Sequence, residues 1–145
     1  MARPAFVQSL RAIQRSMTSM LDEQIMGCGV TEGQFEYLIA ISENDGINQV
    51  ELSKQLDVGK AAVTKAVKIL ELGGYIERKR NQADNRNYIL SISPKGRKVS
   101  DEAAVKFNRV QAMIFSEFSL EELEELTALL ERLRNRVSDL AAEQV

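Results

Sequence analysis

The stretch "VELSKQLDVGKAAVTKAVKILELGGYIERKR", residues 50–80, decides the fold that the sequence predicts. It contains two segments that we expect to be short helices, separated at Asp57-Val58-Gly59 and ended at Gly73-Gly74. Apolar residues recur at helical spacing in the second segment: Val63, Ala66, Val67 and Leu70. Two short helices joined by a tight turn form a helix-turn-helix, whose second helix fits a DNA major groove. An ordinary helical corner inside a core would show the same pattern.

A β-hairpin is predicted directly after the helix-turn-helix. Residues 75–80 and 88–93 have the pattern of two strands, with Ile76, Leu90 and Ile92 facing inward. A helix-turn-helix followed by a hairpin is a winged helix. Basic residues in or beside its loop could follow a DNA backbone or enter a minor groove: Arg78, Lys79, Arg80 and Arg86. The alternative interpretation is a solvated turn with routine surface charge.

Capping residues mark the starts of the other predicted helices. Three pairs have the spacing of a capping box: Thr31 with Gln34, Asn48 with Glu51, and Ser119 with Glu122. Ser93 is expected to cap a helix that begins at Pro94 and ends near Phe118. A first helix is expected over about residues 4–26, ended by Gly27-Cys28-Gly29. The chain is therefore predicted to be mainly α with a small β-hairpin wing.

Regular leucine spacing indicates that the last predicted helix packs against other helices. Its apolar residues alternate at intervals of three and four positions: Leu123, Leu126, Leu130, Leu133, Val137 and Leu140. This seam extends over about three heptads. The chain's own helices could bury it, but so regular a seam in a short chain favours a partner helix. Twofold DNA sites also suit twofold proteins.

Charge is distributed unevenly along a chain whose net charge is −2. Residues 60–98 contain ten Lys or Arg and three Asp or Glu, a net charge of +7. Residues 117–145 contain three Arg and eight Asp or Glu, a net charge of −5. This asymmetry predicts a polyanionic partner that meets only the middle of the chain.

The residue types present exclude several kinds of site. The chain has no His and a single Cys, so Ser-His or Cys-His catalysis, imidazole-based zinc sites and an internal disulfide are excluded. A Gly-rich phosphate loop is also missing, and we expect no enzymatic activity and no cofactor. Apolar runs fall short of the roughly 20 residues that span a bilayer, and a signal peptide is not evident. We expect a cytoplasmic protein with no membrane contact.

Residues 48–96 resemble the MarR family of bacterial and archaeal transcription regulators. The wing of that family carries D-x-R, then an aliphatic strand, then a Leu/Ile-Ser/Thr-x-x-Gly close. Here these are Asp84 and Arg86, Ile89-Leu90, and residues 92–96. Residues 50–80 also match the preceding family pattern, and the order and length of the helices extend the resemblance over nearly the whole chain.

The resemblance implies one domain over residues 1–145, with a winged helix-turn-helix lobe at 31–93 flanked by dimerisation helices at 4–30 and 94–145. In the family, each recognition helix enters a major groove and each wing reaches the adjacent minor groove. The groove-facing positions carried over are Lys60, Ala61, Ala62, Thr64, Lys65 and Lys68. The wing positions are Arg78, Lys79, Arg80, Asp84, Asn85, Arg86 and Asn87.

Two residues of the wing receive separate roles from this resemblance. Arg86 becomes the arginine that enters the minor groove, and Asp84 fixes its geometry through a charge-assisted hydrogen bond. One departure concerns the start of the recognition helix, where family members often have Ser or Thr and this chain has Gly59. Glycine supplies no side-chain acceptor at that position.

The resemblance also implies three partners: double-stranded DNA, a second copy of the chain, and a small-molecule effector. Phe6, Leu10 and Ile13 join the leucine seam as dimerisation residues, because the first and last helices of both protomers interlace in the family. The effector pocket of such regulators lies between the dimer helices and the DNA-binding lobe. Its candidates here are Met17, Met20, Tyr37 and Met113. Met suits adaptable apolar sites, although the same spacing is typical of a core.

Two alternatives stay open. The basic face of the winged helix could bind an acidic protein, and steep salt dependence on duplex DNA would distinguish DNA binding from that function. Cys28 could instead be a redox-sensing thiol, as in some family members. It lies between two glycines, however, and no basic residue is near it in sequence to favour a thiolate.

We predict that Arg86→Ala strongly weakens binding to a specific DNA site, because the wing loses its minor-groove cation. Lys95→Ala, outside the expected DNA surface, should have little effect on binding. A gel-shift titration of both variants tests the assignment, and equally small effects would contradict it.

Overall fold

The computed structural model describes the backbone of residues 3–84 and 87–144, with side chains from Ala5 onward. Its helices are α1 (Arg3–Ile25), α2 (Glu32–Glu43), α3 (Gln49–Leu56), α4 (Lys60–Leu72), α5 (Pro94–Ile114) and α6 (Leu120–Glu143). Its strands are β1 (Ile76–Arg80) and β2 (Tyr88–Ile92). The chain is a winged helix-turn-helix protein, mainly α with a small β-hairpin, as predicted. In the described ranges, every helix is too short or too polar to cross a membrane.

The chain divides into two compact units, residues 1–109 and 110–145. The core of the first unit includes residues from the helices α1, α2, α3 and α4, from the hairpin, and from the first turns of α5. Its largest fully buried apolar side chains are Ile25, Leu38, Ile41, Leu52, Val63, Val67, Leu70 and Leu90. The second unit consists of the last turn of α5, a turn at residues 115–118, and α6.

Side-chain caps begin the helices where the sequence predicts them. All three predicted capping boxes are formed. In each, the side chain of the cap residue accepts from the backbone amide of the third helical residue, and the side chain of that third residue accepts from the backbone amide of the cap residue. The pairs are Thr31 with Gln34, Asn48 with Glu51, and Ser119 with Glu122. Ser93 Oγ likewise accepts from the Gly96 amide at 3.0 Å. These bonds satisfy amide groups that would otherwise lack partners at the helix ends.

The end of α5 differs from the prediction. The helix ends at Ile114 instead of near Phe118. The amide of Phe118 donates to the carbonyl of Phe115 at 3.1 Å in a turn, and Ser116 Oγ donates to the carbonyl of Met113 at 2.9 Å. A serine that bonds to nearby backbone competes with continued helix, which explains the earlier end.

The register of the hairpin decides which of its side chains face the core. The strands are antiparallel and pair Ile76 with Ile92, Arg78 with Leu90, and Arg80 with Tyr88. Directly paired residues project from the same face of such a sheet. The predicted inward residues lie on this face, with Ile76 and Leu90 buried and Ile92 half-buried. Arg78 shares the face and is also half-buried.

A short backbone bridge fastens the hairpin to the helices. The amide of Leu90 donates to the carbonyl of Ile47 at 2.8 Å, and the amide of Gly46 donates to the carbonyl of Leu90 at 3.0 Å. Residues 46 and 47 precede α3, so this bridge joins the wing to the start of the helix-turn-helix.

Lys95 holds the end of α4. Its Nζ donates to the carbonyl of Gly73 at 2.6 Å and lies 4.6 Å from the centroid of the Tyr75 ring. Lys95→Ala would therefore disturb the end of the recognition helix. Lys98, exposed on the same helix, is the better control for Arg86→Ala.

The start of α5 packs closely against the chain entering β1. The amide of Ser93 donates to the carbonyl of Tyr75 at 3.0 Å, and Ser93 Oγ donates to the carbonyl of Gly74. Gly96 is so close to this segment that an added Cβ would collide with the carbonyl oxygen of Tyr75. Only glycine fits there without moving backbone.

We predict that Gly96→Ala destabilises the protein by about 2 kcal/mol or more, because the collision involves backbone that cannot rotate away. Gly33→Ala is the matched control, since Gly33 is an exposed residue of α2 with open space around its Cβ position. That variant should be stabilised by up to about 1 kcal/mol. Urea unfolding measures both, and equal stability of the two variants would contradict the close approach.

Candidate nucleic-acid interface

The recognition helix α4 presents one face to the core and another to solvent. Val63, Val67 and Leu70 are fully buried, and they fix the rotation of the helix about its axis. All the groove-facing candidates lie outside this buried stripe and are exposed: Lys60, Ala61, Ala62, Thr64, Lys65 and Lys68. The structure thus leaves all six candidates, three of them lysines, accessible to solvent.

The turn before α4 is built from local bonds. Asp57 ends α3 in the left-handed conformation with φ of 52°, which short polar residues tolerate better than most. Ser53 Oγ donates to the carbonyl of Val58 at 2.6 Å, and the amide of Val58 donates to the carbonyl of Ser53 at 3.1 Å. Gly59 then begins α4 without a side-chain cap, so first-turn amides remain available to an anion such as phosphate.

Thr64 is less available to bases than its position suggests. Its Oγ1 lies 3.0 Å from the carbonyl oxygen of Lys60 and 3.3 Å from Oε1 of Gln49. The single hydroxyl proton is therefore used within the helix-turn-helix, and the oxygen remains as an acceptor. Ala61 and Ala62 offer methyl groups only, which suit contact with thymine methyls. The lysines carry most of the polar chemistry of this face.

The cations of the wing divide into exposed and packed side chains. Lys79 is exposed and forms a surface ion pair with Glu77, with 3.5 Å between Nζ and Oε2. Arg80 is exposed and lies 5.8 Å from the centroid of the Tyr88 ring. Arg78 lies 5.6 Å from the same ring and forms an ion pair with Glu71 of α4.

The described part of the wing tip is a tight polar turn. The amide of Asn81 donates to the carbonyl of Asn87 at 2.8 Å, and Asn81 Oδ1 accepts from the amide of Ala83 at 3.0 Å. Asn87 Nδ2 donates to Asp84 Oδ2 at 3.0 Å. Asn85 and Arg86 lie outside the described residues, so the Asp84–Arg86 contact stays a prediction.

An open groove of about 570 Å³ runs between α1 and α2. Apolar side chains of α1 line it together with two carboxylates of α2: Leu10, Ile13, Met17 and Leu21, with Glu32 and Glu36. Burial raises the pKa of Glu32, and the nearby charges of Glu36 and Asp22 add to this effect. The groove therefore combines apolar contact with a carboxylate that is costly to ionise.

The four effector candidates have different surroundings. Met17 lines the groove, whereas Met20 is exposed on α1. Tyr37 is a buried core residue, and burial raises the pKa of its hydroxyl, with a further contribution from Glu36. Met113 is exposed in the second unit. Among the described residues, Cys, Asp and Glu form no cluster of three or more that could hold a metal ion.

Cys28 has a basic neighbour that the sequence did not indicate. Lys106, 78 positions away along the chain, places its Nζ 3.4 Å from Cys28 Sγ. The thiol is buried within the core of the first unit. Burial limits access of oxidants, and exposure is one of the conditions of a redox-sensing cysteine.

The dimerisation candidates leave an apolar surface on the chain. Phe6 and Ile13 of α1 are exposed, and Leu10 is half-buried. In α6, Leu123 and Leu133 are half-buried, and the rest of the seam is exposed: Leu126, Leu130, Val137 and Leu140. Helix α6 has no buried residue among its described side chains.

Comparisons with known proteins agree with this architecture. The sequence matches the model of the MarR family over residues 30–88. The solved structure of a MarR protein from Peptoclostridium difficile is 34% identical, covers 92% of this chain and 88% of that one, and has a TM-score of 0.83. The HTH-type transcriptional regulator BilQ from Clostridium symbiosum is 30% identical over 72% of this chain and 73% of its own length.

A solved complex with DNA is also similar to this chain. It contains a MarR family transcriptional regulator from Listeria monocytogenes with a 26mer DNA, and it is 26% identical in sequence. The similarity covers 92% of this chain and 89% of that one, with a TM-score of 0.82.

Proposed function

This chain belongs to the MarR family of DNA-binding transcriptional regulators, and on that premise we propose that it is a homodimeric repressor. In this proposal, two copies bind a pseudo-palindromic promoter site and hinder access of polymerase. Each α4 enters a major groove, and each wing reaches the adjacent minor groove. A cytoplasmic location follows from a function on DNA.

The main observation in support of this DNA-binding surface is that α4 has a buried apolar face and an exposed basic part. Its apolar face is fixed against the core, and the lysines at 60, 65 and 68 lie outside that face and are exposed. The wing extends from the same lobe with Lys79 and Arg80 exposed. These cations supply the phosphate contacts that dominate affinity for DNA.

The proposed dimer explains the otherwise exposed stripe of α6. A helix with exposed Leu126, Leu130 and Leu140 and no buried side chain presents a large apolar surface to water. Monomeric proteins rarely expose contiguous apolar surface of this kind. The seam spacing suits a second helix, and a second copy of this chain supplies that helix together with a second α4.

A small-molecule effector completes the proposal. The groove lined by Met17 and Leu21 of α1 and Glu32 of α2 is its binding site in the first unit. Successive major grooves require the two recognition helices to be roughly 34–36 Å apart. The effector favours a dimer with a different separation, and so relieves repression.

We predict that Leu130→Glu shifts the protein from dimer to monomer, because a carboxylate would be buried at the seam. The sedimentation equilibrium mass should fall from twice the chain mass of 16.3 kDa to that mass. Binding to a duplex selected from a random pool by the wild-type protein should weaken roughly 100-fold or more, because two linked half-site contacts become one.

Asn135→Glu is the matched control for this prediction. It adds the same carboxylate to α6 at a position off the leucine seam, and it should leave both mass and affinity nearly unchanged. A wild-type protein that sediments as a monomer, or a Leu130→Glu variant that stays dimeric, would contradict the proposed dimer. Affinity for duplex DNA that does not fall with added salt would contradict DNA binding through the basic face.

A further inference from the structure

One ion pair connects the recognition helix to the wing. Arg78 Nη2 lies 3.3 Å from Glu71 Oε2. Glu71 belongs to the last turn of α4, and Arg78 is the central residue of β1. Helix α4 and the wing, which enter neighbouring DNA grooves in the proposed complex, are therefore joined by a direct contact between charged side chains.

The surroundings of Arg78 direct it toward the protein. Its partner across the hairpin is Leu90, which is fully buried, so Arg78 projects from the core face of the wing. The Tyr88 ring flanks its guanidinium. Its Nε is buried and has no hydrogen-bond partner among the described residues. The rest of the guanidinium has contacts within the protein, to Glu71 and to the Tyr88 ring.

The neighbouring cations of β1 have different surroundings. The side chain of Arg78 is 29% exposed, whereas that of Lys79 is 61% exposed. Arg80 shares the face of Arg78 but lies two pairs closer to the hairpin loop. There it is exposed, and its guanidinium carbon lies 5.8 Å from the centroid of the Tyr88 ring. Within one strand, Arg80 is thus presented to solvent and Arg78 to helix α4.

We propose that Arg78 and Glu71 are positioning residues that fix the wing relative to the recognition helix, and that Arg78 does not contact DNA. This inference rests on the proposed DNA-binding function. The sequence assigned Arg78 to the DNA surface, together with Lys79 and Arg80. The ion pair instead gives Glu71, an acidic residue that contacts with phosphate would not favour, a part in specific binding.

The consequence concerns specificity more than bulk affinity. A specific site requires α4 and the wing to match two adjacent grooves at once, whereas non-specific binding depends on phosphate contacts alone. Loss of the ion pair loosens the orientation of the wing against α4, while the buried Leu90 still anchors the hairpin, and it removes no phosphate contact. The pair is partly exposed, and such pairs contribute little to folding, so the variants should remain folded.

Arg78→Gln and Arg80→Gln form a matched pair for the test, because the same change is made two residues apart on one strand. Fluorescence anisotropy measures binding to the duplex selected from a random pool and to a scrambled duplex of equal length, over a series of salt concentrations. Arg80→Gln should weaken binding to both duplexes and lower the salt slope by about 0.9 per chain. Arg78→Gln should weaken only selected-duplex binding, by roughly two- to fivefold, with an unchanged slope.

Glu71→Gln gives the sharpest result. Removing a negative charge near DNA should strengthen binding if charge alone matters. The proposal instead requires that binding to the selected duplex weakens, by roughly two- to fivefold. The double variant Glu71→Arg with Arg78→Glu should recover a large part of that loss, since the ion pair is restored in reverse. The urea midpoint of each variant shows that it is folded.

The outcomes separate the inference from the function on which it rests. Glu71→Gln binding as tightly as wild type, or Arg78→Gln matching Arg80→Gln in salt slope, would overturn the positioning role alone. The positioning role would also be overturned if the charge-reversed double variant bound the selected duplex more weakly than both Glu71→Gln and Arg78→Gln. A wild-type protein that does not distinguish the two duplexes would overturn the proposed function and this inference with it.

Discussion

The burial of Leu90 is the constraint on which the arrangement of the DNA-binding lobe depends. Its side chain is fully buried in the core, and its backbone bonds to residues 46 and 47 before α3. A hairpin on its own is only marginally stable in water. Anchored through Leu90, the hairpin becomes part of the same packed unit as the helix-turn-helix, and its remaining side chains take fixed directions.

Those directions give neighbouring residues different surroundings. Since Leu90 pairs with Arg78, this arginine turns toward α4 and meets Glu71. At the end of β1, next to the polar turn, Lys79 and Arg80 are exposed to solvent. The same core fixes α4 through Val63 and Val67, which leaves its lysines outside. Apolar packing thus determines which cations are exposed to solvent and which are turned toward the protein.

Local features of the fold were predictable from the sequence, and contacts between distant residues were not. Capping boxes such as Asn48 with Glu51 involve residues three positions apart, so their spacing alone predicts the bonds. The bridge between Ile47 and Leu90 and the contact of Lys106 with Cys28 join residues far apart along the chain, and periodicity carries no sign of them. The orientation of Arg78 lies between these cases. Alternation along the strand places it on the same face as Ile76, which indicates an inward side chain. Its positive charge nevertheless led to its assignment to the DNA surface in the sequence-based prediction.

In the proposed dimer, α4 and the wing of each copy act on DNA as one rigid unit. Methylation protection of guanine N7 on the selected duplex tests it most directly, because N7 lies in the major groove. The account predicts two protected patches about one helical turn apart, roughly 10 base pairs centre to centre, each next to a minor groove protected from hydroxyl radicals. A single patch, or minor-groove protection without any protection at N7, would contradict it.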